Sequence, residues 1–193
     1  MNSIVVFCGA SDGYNETYRE IAYQVGVTLA EKKIRIIYGG AKIGLMGALA
    51  DGALNHNGEI IGVIPEFLKT KEVAHTGLSR LITVNTMHER KLKMHELSDG
   101  ILTLPGGWGT MEELFEMLTW GQLGLHSKPV GILNINGYYD ALKALCDNMV
   151  VEGFLNETVN NSISINESFD SLLELMYASM PPINKKWITK QTI

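Results

Sequence analysis

Short runs of β-branched and other apolar residues alternate with longer amphipathic segments along the chain, and this alternation limits the folds that the chain can adopt. Seven runs predict strands, at residues 4–7, 35–38, 60–64, 81–85, 101–104, 130–133 and 162–165. Six segments have helical periodicity, at residues 16–32, 45–57, 86–98, 111–123, 138–152 and 169–178. Repeated β-α units form a parallel sheet covered by helices. The sequence therefore predicts an α/β fold, a single doubly wound domain with a mostly parallel sheet of about seven strands.

The length and composition of the chain are those of one packed domain. The 193 residues are fewer than the number at which one core usually splits into two, and 46% of them are apolar. We expect this domain to span residues 1–180. Residues 181–193 begin with two prolines and continue without periodicity, so we expect them to form a surface tail.

Charge and cysteine content exclude several classes of function. A net charge of -5 disfavours general binding to a nucleic-acid backbone, which needs clustered Lys and Arg. Cys8 and Cys146 lie far apart in sequence and indicate neither a disulfide framework nor a zinc site. No leader peptide or membrane-spanning stretch is recognisable. We therefore expect a cytoplasmic protein with no membrane partner.

Glycine-rich loops follow three of the predicted strands, at residues 8–11, 39–47 and 105–110. In open parallel sheets, ligands bind beyond the carboxyl ends of the strands, where such loops lead into helix N-termini. We expect the three loops to lie at one edge of the sheet and to carry the chemistry.

The third loop, PGGWGTMEE at residues 105–113, has the features of an anion site. Its glycines let the backbone approach a ligand, and the N–H groups of Gly107, Gly109 and Thr110 at a helix start can hold a phosphate monoester. A second interpretation is that Thr110 and Glu113 form a T-x-x-E capping box, which needs no ligand. Three glycines in four residues favour the anion site, although both interpretations can hold together.

The second loop lacks the G-x-G-x-x-G spacing of dinucleotide folds and the G-K-[ST] ending of a P-loop, so NAD binding and NTP hydrolysis are disfavoured. Its glycines, including Gly40 and Gly44, either contact a ligand or only make a tight strand-to-helix turn. The sequence leaves both interpretations open.

Arg90 shares a helical stripe with Met87, Met94 and Leu97. An arginine on an apolar stripe needs an anion, unless its stem packs on the core while the guanidinium reaches solvent. The histidines form no H-E-x-x-H motif or Cys/His cluster, and no serine or cysteine stands in a nucleophile motif. We therefore expect neither a metal nor a cofactor.

The string PGGWGTMEE, preceded by MHERK at residues 87–91 and by the second loop, resembles the Lonely Guy family of cytokinin riboside 5′-monophosphate phosphoribohydrolases, long labelled lysine decarboxylase-like. The resemblance extends from about residue 5 to residue 154 and includes the tripeptide at residues 137–139. A decarboxylase is not expected, because nothing in the sequence marks a Schiff-base lysine in a pyridoxal site.

The resemblance implies a homodimeric, Rossmann-like fold and assigns roles to particular residues. Arg90 and Glu113 would be the catalytic residues. The substrate-binding residues would be Glu72, Lys91, Gly107, Trp108, Gly109, Thr110, Met111, Glu112 and Thr119, with Gly40 and Gly44 added from the second loop. A dimer also agrees with the apolar character of the predicted helix at residues 111–123, which carries Phe115, Met117, Leu118 and Trp120.

The implied activity is hydrolysis of the N-glycosidic bond of an adenosine 5′-monophosphate, with or without an N6-prenyl group, to free base and ribose 5-phosphate. The reaction passes through an oxocarbenium-like state, which calls for a carboxylate near C1′. Glu113 would be that carboxylate, kept ionised by its place at a helix start. Arg90 would either orient Glu113 or grip the phosphate, and the base would face apolar residues of a partner subunit, including those near Trp120.

Two other functions would use the same residues. One is an AMP nucleosidase of purine salvage, and the other is a non-catalytic carrier of a nucleotide or cofactor on the same fold. Glycine loops bind phosphate whether or not a bond breaks. A carboxylate at position 113 disfavours the carrier.

Overall fold

Seven parallel strands form one sheet with the order β4-β3-β2-β1-β5-β6-β7. The computed structural model describes residues 1–69 and 74–179. The strands are β1 (Ser3–Phe7), β2 (Arg35–Tyr38), β3 (Ile60–Pro65), β4 (Arg80–Val84), β5 (Gly100–Thr103), β6 (Val130–Leu133) and β7 (Ile163–Asn166). The predicted sheet is confirmed, and each predicted strand end lies within one residue of the observed one.

Helices connect the strands and cover both faces of the sheet. They are α1 (Glu16–Glu31), α2 (Gly44–Asn55), α3 (Glu66–Lys69), α4 (Met87–Glu96), α5 (Trp108–Gln122), α6 (Asp140–Val151), α7 (Glu157–Asn160) and α8 (Phe169–Ala178), with a 3-10 turn at Ile135–Gly137. The six predicted helices are present, whereas α3, α7 and the 3-10 turn are not predicted, because each is too short for a helical period to show.

Two apolar cores lie on opposite faces of the sheet. On one face, Ile4 and Val6 of β1 pack with buried residues of α1, α2 and α8. On the other face, Val5 and Phe7 pack with Met94 of α4 and with buried residues of α5. Successive residues of a strand point to opposite faces, so both sides of β1 are buried and its sequence shows no polar alternation. This is the doubly wound arrangement that the sequence predicts.

The order of the strands creates a switch point at β1. From β1 the chain adds β2, β3 and β4 on one side, then returns to place β5 on the other side of β1. The loops that leave β1 and β5 therefore run in opposite directions and open a crevice at the carboxyl ends of these strands. The glycine-rich loops at residues 8–11 and 105–110 lead out of these two strands and border this crevice.

Two further expectations from the sequence stay predictions. The proposed surface tail at residues 181–193 and Glu72 both lie outside the described residues. Within the described residues, no helix is both long enough and apolar enough to cross a membrane.

Candidate active site

A cleft of about 470 Å³ lies at the switch point between β1 and β5. Its wall includes Gly9 from the loop after β1, Gly39 from the loop after β2, Arg90 from α4, and Gly107 and Glu113 from the loop after β5 and from α5. Each of the three glycine-rich loops therefore contributes at least one residue to a cleft at one edge of the sheet.

The start of α5 forms one side of the cleft and has no side-chain cap. Gly107 is the N-cap residue, and the first intrahelical bond is donated by the N–H of Met111 to the carbonyl oxygen of Gly107 at 3.1 Å. The N–H groups of the preceding residues in a first turn have no acceptor within the helix. They form, together with the helix dipole, a site for an anion.

The capping-box interpretation of Thr110 and Glu113 is wrong. The helix begins at Trp108, three residues before its predicted start, so Thr110 is its third residue and Glu113 its sixth. A T-x-x-E pattern caps α4 instead, where the Thr86 hydroxyl accepts from the Glu89 N–H at 3.1 Å. The Glu89 carboxylate accepts at 2.8 Å from the N–H of Asn85, the residue before the N-cap, rather than from the N–H of Thr86 as in a full capping box.

Three positions of the third loop are occupied by glycine for different physical reasons. A Cβ atom on Gly106 would clash with the hydroxyl of Thr110, so packing alone requires glycine there. A Cβ atom on Gly107 or Gly109 would meet no atom of the described residues within 4 Å. Both residues line the cleft. Their lack of a side chain leaves the backbone open to a ligand.

Arg90 is buried, with 7% of its surface exposed, and its guanidinium is held by the main chain. Nε donates to the carbonyl oxygen of Val63 at 3.1 Å, and Nη2 donates to that of Gly39 at 3.4 Å. Nη1 lies 3.9 Å from Oε1 of Glu113, within ion-pair range but too far for a hydrogen bond. The alternative in which this guanidinium reaches solvent is therefore wrong.

Glu113 is also buried, and it faces the cleft in the second turn of α5. Cys8, at the end of β1, lines the same cleft. Burial raises the pKa of the Cys8 thiol strongly, and the negative charge of Glu113 raises it further. Cys8 is therefore a neutral thiol at physiological pH and has no thiolate to act as a nucleophile.

Lys91 lies next to Arg90 in sequence but makes a different set of contacts. Its Nζ forms ion pairs with Glu112 at 2.5 Å and with Glu116 at 3.0 Å. Burial lowers the pKa of Lys91, but the two carboxylates outweigh burial and hold it above the ordinary lysine value. Glu112 lines the cleft, whereas Lys91 does not line it and joins α4 to α5.

Three other residues that the resemblance assigns to the site lie off the cleft wall of their own chain. Trp108 is 92% exposed at the start of α5, and Met111 packs against one of the cores. Thr119 is exposed, its hydroxyl donates to the carbonyl oxygen of Phe115 at 2.7 Å, and it lies about 9 Å along the helix axis from Glu113.

The second loop contributes Gly39 to the cleft but not the two glycines singled out from the sequence. Gly40 and Gly44 have φ angles of +83° and +61°, in the left-handed region that favours glycine. A Cβ atom on Gly44 would also clash with the backbone of Ala10. The turn interpretation therefore explains Gly40 and Gly44, and neither of them lines this cleft.

Sequence reasoning did not assign a role to Asp12, Tyr18 or Tyr138, which also line the cleft. Tyr138 belongs to the tripeptide at residues 137–139, which is part of the family resemblance, and its hydroxyl donates to the carbonyl oxygen of Gly106 at 2.6 Å. Tyr18 packs edge-on against Tyr138 with ring centroids 5.9 Å apart. Asp12 and Tyr18 have no distinguishing pattern in the sequence, because only the fold brings α1 and the loop before it to this edge.

Within the described parts of the chain, no group of three or more His, Cys, Asp and Glu side chains could hold a metal ion. Cys8 and Cys146 are both buried free thiols.

This chain is similar in sequence to named proteins over most of its length. A cytokinin riboside 5′-monophosphate phosphoribohydrolase of Arabidopsis thaliana is 41% identical over 92% of this chain and 84% of its own length. A protein of the same name from Rhodococcoides fascians is 46% identical over 84% of this chain and 83% of its own length.

Solved structures share the fold at lower identity. The molybdenum cofactor binding protein from Rippkaea orientalis superposes with a TM-score of 0.68 and 22% identity, over 92% of this chain and 97% of that one. The molybdenum cofactor carrier protein from Chlamydomonas reinhardtii gives a TM-score of 0.65 and 17% identity, over 91% and 98%. At this identity the likeness shows the Rossmann-like fold alone.

A family model described as "Possible lysine decarboxylase" matches residues 46–176, a stretch that contains Arg90 and Glu113. The relatives that match the chain over most of its length are named phosphoribohydrolases and not decarboxylases. The description of the family model therefore does not decide which reaction the family catalyses. The chain belongs to the Lonely Guy family, whose named members among its relatives are cytokinin riboside 5′-monophosphate phosphoribohydrolases.

Proposed function

We propose that this protein hydrolyses the N-glycosidic bond of an adenosine 5′-monophosphate, with or without an N6-prenyl group, and releases the free base and ribose 5-phosphate. The observation that carries the proposal is the placement of buried Glu113 beside Arg90, one turn after a helix start that has no side-chain cap. A phosphate site and a buried carboxylate in one cleft fit a nucleotide whose glycosidic carbon is attacked. The names of the relatives support the same activity.

The 5′-phosphate binds at the start of α5 in this mechanism. Its oxygens accept hydrogen bonds from the open backbone at Gly107 and Gly109 and from the hydroxyl of Thr110. Glu113 then lies near C1′, where its charge stabilises the oxocarbenium-like state and its oxygen accepts a proton from the attacking water. Water supplies the hydroxyl on C1′ and the proton on the departing base.

Arg90 orients Glu113 in this proposal rather than gripping the phosphate. Nε and Nη2 already donate to main-chain carbonyls, and Nη1 is the nitrogen that faces Glu113. A guanidinium fixed at two points is a rigid neighbour for a carboxylate. A shift of about 1 Å closes the present gap to a hydrogen bond when substrate binds.

The active unit is a homodimer in this proposal. Phe115, Leu118 and Trp120 of α5 are only half-buried in one chain, which leaves apolar surface for a second copy. Thr119 lies off its own cleft, so its implied contact with nucleotide requires the cleft of a partner subunit. A cytoplasmic location rests on the sequence and is consistent with the two free thiols.

Incubation with AMP and, separately, with N6-isopentenyl AMP tests the proposed function. We expect free base and ribose 5-phosphate in equal amounts by chromatography. A higher kcat/KM for the prenylated nucleotide identifies a cytokinin-activating enzyme, and a higher value for AMP identifies a salvage nucleosidase. Tight binding of either nucleotide without any product contradicts the proposal and indicates a carrier.

The same assay with EDTA tests whether the reaction needs a metal. We expect the rate to be unchanged, because the proposed mechanism uses only Glu113, Arg90 and the helix start. A large loss of activity that zinc or magnesium restores contradicts this mechanism.

A further inference from the structure

Three consecutive carbonyl groups in the loop before α5 are held by donors from outside the loop. They belong to residues 104–106. The hydroxyl of Tyr139 donates to the first at 2.7 Å, the N–H of Gly9 to the second at 3.0 Å, and the hydroxyl of Tyr138 to the third at 2.6 Å. The path of this loop is therefore fixed by the turn before α6 and by the loop after β1 rather than by its own glycines.

The two tyrosines are themselves held in place by the turn that precedes α6. The side chain of Asn134 accepts from the N–H of Tyr139 at 2.7 Å and donates to Asp140 at 2.7 Å. The rings of Tyr138 and Tyr139 pack edge-on, with centroids 4.9 Å apart. Tyr138 thus has a defined position although it is partly exposed at the cleft.

The bond from Tyr138 differs from the bond from Tyr139 in what it can orient. The carbonyl of Gly106 and the N–H of Gly107 belong to one planar peptide unit, so fixing the first fixes the direction of the second. The carbonyl of Leu104 precedes Pro105, which has no N–H to orient. Of the two tyrosine hydroxyls, only that of Tyr138 can therefore act on an N–H group that borders the cleft.

We propose that Tyr138 is a positioning residue for the anion site, and that its hydroxyl sets the direction of the Gly107 N–H toward a phosphate monoester. The inference rests on the proposed function, because it concerns the same phosphate. It adds to the site a residue that bonds a carbonyl of the loop and no reacting atom. Its effect falls on binding and not on the chemical step.

The test compares Tyr138→Phe with the matched control Tyr139→Phe. Each variant keeps the ring and loses one hydroxyl that donates to a loop carbonyl. For Tyr138→Phe we expect Kd for ribose 5-phosphate, measured by calorimetry, and KM for AMP to rise about three- to tenfold, with kcat unchanged. For Tyr139→Phe, whose hydroxyl is buried, we expect a lower melting temperature and a Kd within about twofold of wild type.

The possible outcomes separate this inference from the proposed function. If wild type binds ribose 5-phosphate and Tyr138→Phe binds it equally well, the inference is wrong and the proposed function stands. Equal losses of affinity in the two variants also overturn it, because a general loosening of the loop would then suffice. A Tyr138→Phe chain that does not fold, or one that loses kcat alone, contradicts a positioning role. If wild type binds no phosphate ester, both proposals fail.

Discussion

At the scale of single residues, Arg90 has two separable roles, since it faces Glu113 and also satisfies two main-chain carbonyls. Arg90→Lys keeps the positive charge but loses the planar set of donors. We expect a folded protein whose kcat/KM for AMP falls at least about 10²-fold, because the carboxylate loses its rigid neighbour. A rate near that of wild type would show that charge alone is sufficient.

Arg90→Met tests the other role of the same residue. Removing the guanidinium leaves the carbonyls of Val63 and Gly39 without this donor, at a cost of about 1–3 kcal/mol in the free energy of unfolding. From the sequence alone we would predict unchanged or greater stability, because a charge leaves an apolar stripe. Urea unfolding decides, with Arg80→Met at an exposed position of β4 as the control. Equal midpoints for the two variants contradict our account of Arg90.

The residues of the site divide according to what the sequence can predict about them. The burial of Arg90 follows from its position among apolar residues three and four places away, which a helical period makes visible. The pairing of Lys91 with Glu112 and Glu116 does not follow in this way, because it depends on which helices become neighbours on one face of the sheet. Glu72 stays a prediction, since it lies outside the described residues.

At the scale of elements, the contact between α4 and α5 sets the geometry of the catalytic pair. Lys91→Met leaves Glu112 and Glu116 without their common cation, and we expect the free energy of unfolding to fall by about 1–3 kcal/mol. Lys93→Met is the matched control on the same helix. Its exposed pair with Glu96 contributes about 0–1 kcal/mol.

Steady-state kinetics of Glu116→Gln distinguish a structural role of Lys91 from substrate binding. Glu116 does not line the cleft, so its variant lowers activity only if the link between the helices matters. If the link matters, we expect both Glu116→Gln and Lys91→Met to lower kcat. A rise in KM for Lys91→Met alone would instead assign Lys91 to the nucleotide, as the resemblance implies.

The strands were predictable to within one residue because most of them are short apolar runs with sharp ends, as strands inside a parallel sheet are. The start of α5 was not, because Trp108 and Gly109 carry a loop-like composition into the first helical turn. Glycine lowers the stability of a helix, and it occurs here at a position where the backbone borders the cleft. The local error thus occurred at the element that forms the site.

At the scale of the whole molecule, the alternation of strands and helices predicts the doubly wound sheet, and the sheet predicts where a ligand binds. It does not predict which loops meet across the crevice. Tyr18 of α1 and Tyr138 before α6 are 120 residues apart in sequence, yet their rings are in contact beside the loop that precedes α5. Such contacts depend on the completed topology rather than on any local pattern.

The oligomeric state is a property of the same scale. Sedimentation at micromolar concentration is expected to show twice the chain mass of 21.3 kDa. Leu118→Glu, on the half-buried surface of α5, should dissociate the dimer, because a charge in an apolar interface loses its water. Leu175→Glu on the exposed surface of α8 should leave it intact. A monomeric wild type, or a dimer unaffected by Leu118→Glu, contradicts the proposed interface.

The rate of base release from bound AMP in Glu113→Gln tests the central claim most directly, because a single-turnover measurement separates the chemical step from binding. The amide keeps the shape of the side chain but removes the charge and the proton acceptor. We expect the rate to fall by roughly 10²–10⁴-fold while Kd for AMP changes by less than about tenfold. A variant that releases base at the wild-type rate would remove Glu113 from the chemistry and with it the mechanism proposed for this cleft.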